Sequence, residues 1–167
     1  RPKLEVNYIT KTLLNESLNE NFDNLHKLGV KIVIRGSIEK LDKSLKDKIL
    51  NAQKKTLNNK SISLVIAFDY GGRNEIVNTV KEIIKDNIKL SKIDEKLFNN
   101  YINKDSIPDP DLIIRTGGEY RLSNFLIWQS AYSEFYTSEV LWPDFTKIDF
   151  YDALKSYSLR NRRFGTD

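Results

Sequence analysis

Short apolar segments of the strand type alternate along this chain with longer segments of helical periodicity, and this alternation constrains the fold more than any other feature. Residues 30–34, 62–68 and 112–114 are apolar runs with Gly or Pro close by, which is typical of strands buried in parallel sheets. The segments between them repeat apolar residues every three or four positions, as amphipathic helices do. Because strand, helix and parallel strand form the repeating unit of α/β folds, the sequence predicts an α/β fold with a largely parallel central sheet flanked by helices.

The helical segments can be placed from the same periodicity. Residues 4–28 predict a long helix with one buried face, which ends at Gly29. Residues 62–68 are almost continuously apolar, so we expect that strand to be covered on both faces. No repeat or linker divides the chain, and 167 residues with 40% hydrophobic content can bury one core, so a single domain over residues 1–167 is expected. The remaining predicted elements are helices at 43–57, 74–86, 95–102, 124–132 and 150–162 and a strand at 135–141.

Composition disfavours several classes of protein. The absence of Cys rules out a disulfide framework and suits a reducing compartment such as the cytoplasm. The net charge of +4 fits anionic ligands, but the basic residues are dispersed, so a nucleic-acid-binding domain is only a third interpretation. No apolar run approaches the roughly 20 residues of a membrane-spanning helix. The sequence begins with Arg1 and contains no Met, and we expect it to be a fragment of a longer protein.

Polar residues follow the second predicted strand at a pair of glycines, Gly71 and Gly72. In open α/β sheets, ligands bind beyond the carboxyl ends of the strands, and paired glycines allow the backbone to approach a ligand closely. The start of the next helix would also present its amide groups there. An ordinary turn between strand and helix explains the same residues, and both interpretations stay open.

A richer polar segment follows the third predicted strand. Arg115 and Arg121 are six residues apart and flank a Gly-Gly turn, and Ser123 adds a hydroxyl. Each guanidinium presents a planar fork of donors that matches phosphate oxygens, so these three side chains predict a diphosphate site. The alternative is that the arginines form ion pairs with Glu119 and other carboxylates at the edge of the sheet.

A carboxylate and a basic terminus complete the set of candidates. Glu134 precedes the fourth predicted strand, and beside a diphosphate its oxygens would suit Mg²⁺, which takes one or two carboxylates together with phosphate oxygens. An ordinary surface Glu is the other interpretation. The terminal segment with Arg163 and Gly165 is typical of a helix end whose cations complement the helix dipole.

Taken together, these segments resemble the cis-prenyltransferases of the undecaprenyl diphosphate synthase kind, and the similarity runs from Arg1 to Gly165. Five motifs occur in the order and at the spacing of that family. They are Tyr70-Gly71-Gly72-Arg73, the segment from Asp111 to Glu119, Arg121-Leu122-Ser123-Asn124-Phe125, Leu141-Trp142-Pro143-Asp144-Phe145 and Arg163-Phe164-Gly165.

The resemblance implies a role for each candidate. It implies that Arg115, Arg121 and Ser123 hold the diphosphate of isopentenyl diphosphate, and that Glu134 helps to bind Mg²⁺ there. The resemblance further implies a homodimer, in which Arg163 and Gly165 complete the site of the neighbouring subunit, and peripheral membrane contact for product release. Arg1 matches an arginine that lies near the allylic diphosphate in the family.

The implied activity is the sequential cis-condensation of isopentenyl diphosphate onto an allylic diphosphate such as farnesyl diphosphate, giving a long polyprenyl diphosphate, most simply undecaprenyl diphosphate for cell-wall carriers. The family's Asp-Gly-Asn-Gly-Arg loop is not in this sequence, so we expect the catalytic Asp upstream of Arg1 and the chain alone to be inactive. Asp69 and Tyr120 depart from the family's usual Asn and His. The alternative function is a non-catalytic partner subunit of a heteromeric cis-prenyltransferase.

Overall fold

The computed structural model describes Tyr8 and residues 22–161. Residues 22–27 are helical and are followed by a turn at Leu28 and Gly29; the rest of the helix predicted for residues 4–28 lies outside the described residues, apart from Tyr8. The elements are β1 (Val30–Gly36), α1 (Lys43–Thr56), β2 (Ile62–Phe68), α2 (Gly72–Lys85), α3 (Glu95–Ile102), β3 (Leu112–Thr116), β4 (Glu134–Ser138) and α4 (Lys147–Ser158).

The chain divides into two compact units, and the first spans Arg1–Tyr70. In it, β1 and β2 pair in parallel from Val30 opposite Ile62 to Gly36 opposite Phe68. The helix between them, α1, begins where the Asp42 carboxylate accepts a hydrogen bond from the Leu45 N–H, which satisfies one of the unpaired donors of its first turn. The buried face of α1 contacts β1, and this contact forms the described core of the unit: Val30, Ile32, Val33, Leu45, Ile49 and Ala52.

In its described residues, the second unit, Gly71–Asp167, contains the other two strands and the helices α2, α3 and α4. Strands β3 and β4 pair in parallel from Leu112 opposite Glu134 to Thr116 opposite Ser138. Helix α4 contacts β4, and α2 contacts α3. The connection from β3 to β4 is therefore a parallel crossover that runs through residues 117–133.

The structure confirms the α/β class and the parallel pairing of the strands, which form two parallel pairs among the described residues. The predicted helix at 124–132 is wrong, because these residues form turns and Asn124 and Leu126 have φ values of 65° and 45°, outside the range of an α-helix. Their apolar character reflects packing instead: the Trp128 ring lies 4.4 Å from that of Phe98.

Two further expectations concern burial and domain organisation. The prediction that the second strand is covered on both faces is wrong at Ile62 and Leu64, which are 64% and 40% exposed. The single domain over residues 1–167 stays a prediction, since each of the two units is compact by itself. Within residues 22–161, no helix combines the length and the apolar character that a membrane span requires.

The hydroxyl of Thr56 joins α1 to β1, and its removal should destabilise the first unit. Thr56 is fully buried; its Oγ1 donates to the Ala52 carbonyl at 2.8 Å and accepts from the Ile32 N–H at 3.0 Å. Thr56→Val keeps the volume but leaves the buried Ile32 N–H without an acceptor, so we expect a loss of about 1–3 kcal/mol in unfolding free energy, measured by urea denaturation. The Ile32 amide should also exchange faster with solvent. Thr56→Ser is the matched control, and equal exchange rates at Ile32 in the two variants would contradict the assignment.

A capping box starts α4, and its carboxylate should resist protonation. Asp149 Oδ2 accepts from the Thr146 hydroxyl at 2.6 Å and from the Thr146 N–H at 2.7 Å, and these bonds lower the pKa of Asp149 below its usual 3.8. Because the folded pKa is the lower one, the cap stabilises the folded state fully above the unfolded pKa and loses this effect as the pH falls through the folded pKa. We expect an NMR titration to show the lowered value and Thr146→Ala to raise it. An unchanged value in Thr146→Ala would contradict this account.

Candidate functional site

The loop that leaves β3 is held against the end of β4 by a pair of glycines. Gly117 and Gly118 have φ values of 88° and 72°, in the region that glycine adopts without strain. The Gly117 N–H donates to the Val140 carbonyl and the Gly118 N–H to that of Ser138, both at 2.9 Å. The turn therefore places residues 119–125 beyond the carboxyl ends of both strands, where α/β folds bind ligands.

The guanidinium of Arg115 folds this loop back over the end of β3. Its Nη1 donates to the Ser123 hydroxyl oxygen at 3.1 Å and also to the backbone carbonyl of Arg121. The Ser123 oxygen therefore acts as an acceptor toward Arg115, and its own hydroxyl hydrogen can be donated to another oxygen. Arg115 both shapes the loop and aligns a hydroxyl donor beside its own positive charge.

Arg121 forms an ion pair with Glu119 across the surface of the loop. This is the alternative interpretation of the arginines, and it holds for Arg121, whereas Arg115 bonds to a hydroxyl and a carbonyl instead. The side chains of Arg121 and Glu119 are 59% and 48% exposed, and exposed ion pairs contribute at most about 1 kcal/mol. A more highly charged anion can therefore displace Glu119 from Arg121 at little cost.

A cavity of about 370 Å³ lies at this end of the β3–β4 pair, within the range of small-molecule sites. Its floor is apolar and comes from the two strands and the loop, whereas its charged groups are Arg115 on β3 and Glu119 and Arg121 on the loop. A cavity of this kind suits an anionic ligand with a short hydrocarbon part. The lining residues are Ile113, Ile114, Arg115, Glu119, Tyr120, Arg121, Leu122, Phe125, Phe135, Tyr136 and Thr137.

The structure does not bring Glu134 into this cluster. Glu134 pairs with Leu112 at the beginning of the two strands, whereas Arg115 pairs with Thr137. Thr137 lies three positions after Glu134, about 10 Å along the strand. Because this separation is odd, the two side chains point to opposite faces of the sheet. Of the four groups, the structure thus brings Arg115 into contact with Ser123 and places Arg115 and Arg121 on one cavity, whereas Glu134 lies at the other end of the strands. Their roles at a diphosphate or a metal stay predictions.

Glu134 has a different partner, Arg160, which the sequence did not indicate. The Arg160 Nη1 donates to Glu134 Oε2 at 2.6 Å and its Nη2 to the Phe135 carbonyl at 2.8 Å. The Arg160 guanidinium thus connects the segment that follows α4 to the start of β4. The basic run near the end of the chain was a signal for such a contact, but a run of arginines does not identify their partners.

Mg²⁺ is the cofactor that the resemblance implies, and Glu134 is its candidate ligand. Among the described residues no three carboxylate, imidazole or thiol side chains cluster as metal ligands would, and Glu134 presents a single carboxylate that is occupied by Arg160. Mg²⁺ requires near-octahedral oxygen ligation. Because Mg²⁺ combines one or two protein carboxylates with phosphate oxygens and water, Glu134 would hold the ion only together with a bound diphosphate, and no chemical step is assigned to the metal. Arg1, Arg163 and Gly165 lie outside the described residues.

The Gly71–Gly72 turn meets the same loop through Asn124, a residue that the sequence reasoning did not single out. A Cβ on Gly71 would lie 2.7 Å from Asn124 Nδ2, and one on Gly72 would lie 2.7 Å from Ile127 Cγ1. Close packing therefore requires glycine at Gly72, which also meets the Ile127 backbone, whereas Gly71 faces only the end of the Asn124 side chain. A glycine pair that admits no side chain could have signalled a close neighbour, but not which residue it is.

Comparison with known proteins gives a consistent result. The family model of undecaprenyl diphosphate synthases (Prenyltransf) matches residues 1–165. An isoprenyl transferase of Clostridium tetani is 43% identical over 99% of this chain and 66% of its own length. A ditrans,polycis-undecaprenyl-diphosphate synthase, (2E,6E)-farnesyl-diphosphate specific, of Photorhabdus laumondii has the same identity and coverage. The crystal structure of lavandulyl diphosphate synthase from Lavandula x intermedia in complex with dimethylallyl diphosphate is 32% identical and superposes with a TM-score of 0.92, covering 99% of this chain and 73% of that one. The chain thus spans about two thirds of the length of the two bacterial relatives.

The Arg160–Glu134 pair should stabilise the second unit. Arg160→Ala leaves a carboxylate that is only 28% exposed without its partner, so we expect unfolding free energy to fall by about 1–2 kcal/mol in urea denaturation. Glu134→Gln should cost less, because an amide oxygen still accepts from the guanidinium. A double-mutant cycle of Arg160→Ala with Glu134→Ala, each of which removes the contact, should give a coupling energy of about 1 kcal/mol. Purely additive costs would show that the contact contributes nothing.

Proposed function

Because the chain belongs to the undecaprenyl diphosphate synthase family, we propose that it carries the isopentenyl diphosphate site of a cis-prenyltransferase. In the complete protein, isopentenyl diphosphate would be condensed onto an allylic diphosphate, with farnesyl diphosphate as the first acceptor and undecaprenyl diphosphate as the product. One observation carries the proposal: at the open end of a parallel strand pair, Arg115 and Arg121 line one largely apolar cavity, and Arg115 bonds to the Ser123 hydroxyl and to the Arg121 backbone carbonyl.

The diphosphate would bind by exchanging partners with the loop. Arg121 would leave Glu119 and use its planar fork of donors on the phosphate oxygens, since a diphosphate carries more negative charge than a carboxylate. Ser123 would donate its hydroxyl hydrogen while its oxygen still accepts from Arg115. Arg115 would contribute the charge of a guanidinium whose Nη1 is already fixed by the loop.

The isopentenyl group would then rest on the apolar floor of the cavity, which includes Ile113, Phe125 and Phe135. In the proposed reaction, a carbon–carbon bond forms between the isopentenyl double bond and the allylic carbon, the allylic carbon–oxygen bond breaks to release diphosphate, and a proton leaves the isopentenyl unit. The described residues would contribute orientation: a substrate fixed at both its head and its tail presents its double bond in one direction, which lowers the entropic part of the barrier.

The remaining expectations are part of the same proposal. Glu134 as a magnesium ligand and the Mg²⁺ requirement itself are expectations from the family resemblance. Three further expectations come from the same resemblance: a cytoplasmic location at the periphery of the membrane, a homodimer, and the completion of a neighbouring site by Arg163 and Gly165. An enzyme is favoured over a non-catalytic partner subunit because a subunit that only supports another chain would not need a complete set of diphosphate donors.

The proposal predicts a selective loss of substrate affinity in Arg121→Ala. In the complete protein, we expect the Kd for isopentenyl diphosphate to rise by roughly 10- to 100-fold, because charge-assisted hydrogen bonds to a desolvated anion are lost. The Kd for farnesyl diphosphate should change little. Both constants can be measured by isothermal titration calorimetry. Lys81→Ala is the matched control, since it removes one positive charge from an exposed position on α2, outside the cavity lining.

Glu119→Gln tests the exchange of partners in the opposite direction. It removes the carboxylate that competes for Arg121, so isopentenyl diphosphate should bind at least as tightly as in the unmodified protein. An equal loss of affinity for both substrates in Arg121→Ala, or no loss, would refute the assignment of the site.

A further inference from the structure

Asn124 ties the candidate diphosphate loop to the first turn of α2. Its side-chain Oδ1 accepts a hydrogen bond from the Arg73 N–H at 2.9 Å, and its backbone carbonyl accepts one from the Gly72 N–H at 2.8 Å. The N-cap residue of α2 is Gly71, which has no side chain to bond to the helix. Since the first backbone N–H groups of a helix have no partner within it, Asn124 supplies from the loop the cap that the helix lacks.

The loop around Asn124 packs closely against the start of α2. Gly71 and Gly72 lie so close to Asn124 and Ile127 that a single added methyl group on either glycine would come within 2.7 Å of a side-chain atom. Gly72 is buried. The loop is therefore held to α2 by two hydrogen bonds and by close packing of Ile127 on Gly72.

The residue before Asn124 is Ser123, and the two share an uncommon backbone conformation. Their φ values are 49° and 65°, in the left-handed region that costs most residues roughly 1–2 kcal/mol and that Asn tolerates better than others. Two successive residues in this region reverse the chain, so that Ser123 reaches Arg115 on β3 while Asn124 reaches Arg73 on α2. The orientation of the Ser123 hydroxyl thus depends on where Asn124 is anchored.

We propose that Asn124 is a positioning residue for the diphosphate loop: by capping α2 it fixes the backbone of Ser123 and, with it, the alignment of Ser123 and Arg121 toward Arg115. This inference rests on the proposed function of the loop. Its consequence is that the cap determines affinity for isopentenyl diphosphate although the Asn124 side chain itself bonds to the backbone of α2.

The test compares variants that separate the cap from the backbone conformation. Asn124→Gly keeps the left-handed conformation and removes the side-chain acceptor, whereas Asn124→Asp keeps an acceptor. Asn87→Gly is the matched control, because Asn87 is also left-handed, with a φ of 53°, and follows α2 at its other end. Measurements in the complete protein at about 0.5 M salt would screen the charge that Asp introduces.

We expect Asn124→Gly to raise the Kd and the KM for isopentenyl diphosphate by on the order of tenfold, since a small misplacement of binding groups is costly. The KM for farnesyl diphosphate should be unchanged, and Tm should shift no further than in Asn87→Gly. Asn124→Asp should restore most of the affinity, and Asn87→Gly should bind both substrates normally.

Two results would overturn the inference. Normal isopentenyl diphosphate affinity in Asn124→Gly, while Arg121→Ala binds weakly, would leave the proposed function standing and refute the role of the cap. A large fall in Tm with equal loss of both substrates would show that Asn124 only stabilises the fold. If Arg121→Ala itself binds isopentenyl diphosphate normally, the proposed function of the loop is refuted, and the inference that rests on it is refuted as well.

Discussion

The hydrogen bonds from the Arg115 guanidinium to the Ser123 hydroxyl and the Arg121 carbonyl are the constraint on which the candidate site depends. Arg115 lies near the end of β3, and its backbone is fixed by the strand pairing. The loop that is bonded to its guanidinium is therefore fixed relative to β3. Both bonds use Nη1, which leaves Nη2 and Nε of the five-donor guanidinium outside the bonding of the loop. A rigid strand, and not the loop itself, thus sets the geometry of the cationic centre.

The ion pair of Arg121 and Glu119 complements this constraint by keeping the second cation exchangeable. Buried pairs are costly to break because one charge is left without a partner in a medium of low dielectric constant, whereas both members of this pair remain in contact with water. The Glu119 carboxylate therefore occupies the position on Arg121 that an anionic ligand would take, but it is bound there only weakly. A site of this design discriminates by charge, since only a ligand of higher charge than a carboxylate gains from the exchange.

The sequence predicted those parts of the fold that depend on local periodicity. The strands at Ile62–Phe68 and Leu112–Thr116 and the helix at Glu95–Ile102 follow from spacing and flanking residues alone. The turns at 124–132 could not be predicted this way, because an apolar segment that packs Trp128 on Phe98 looks the same in sequence as a buried helix. The face on which Glu134 lies depends on strand register, and a shift of one residue would reverse it. Neither composition nor motif spacing specifies register, so the separation of Glu134 from Arg115 required the structure.

The loop that carries Arg121 and Ser123 is held in place against its own strain. Ser123, Asn124 and Leu126 have left-handed φ values, each of which costs roughly 1–2 kcal/mol for an ordinary residue. The opposing terms are the hydrogen bonds from Arg115, Gly72 and Arg73, each with a net contribution of about 0.5–1.5 kcal/mol. Because the two sets of terms are of similar size, no single anchor is redundant. In the described conformation β3 and α2 hold the loop with the proposed diphosphate donors at the same time, and all of these residues belong to the unit that begins at Gly71.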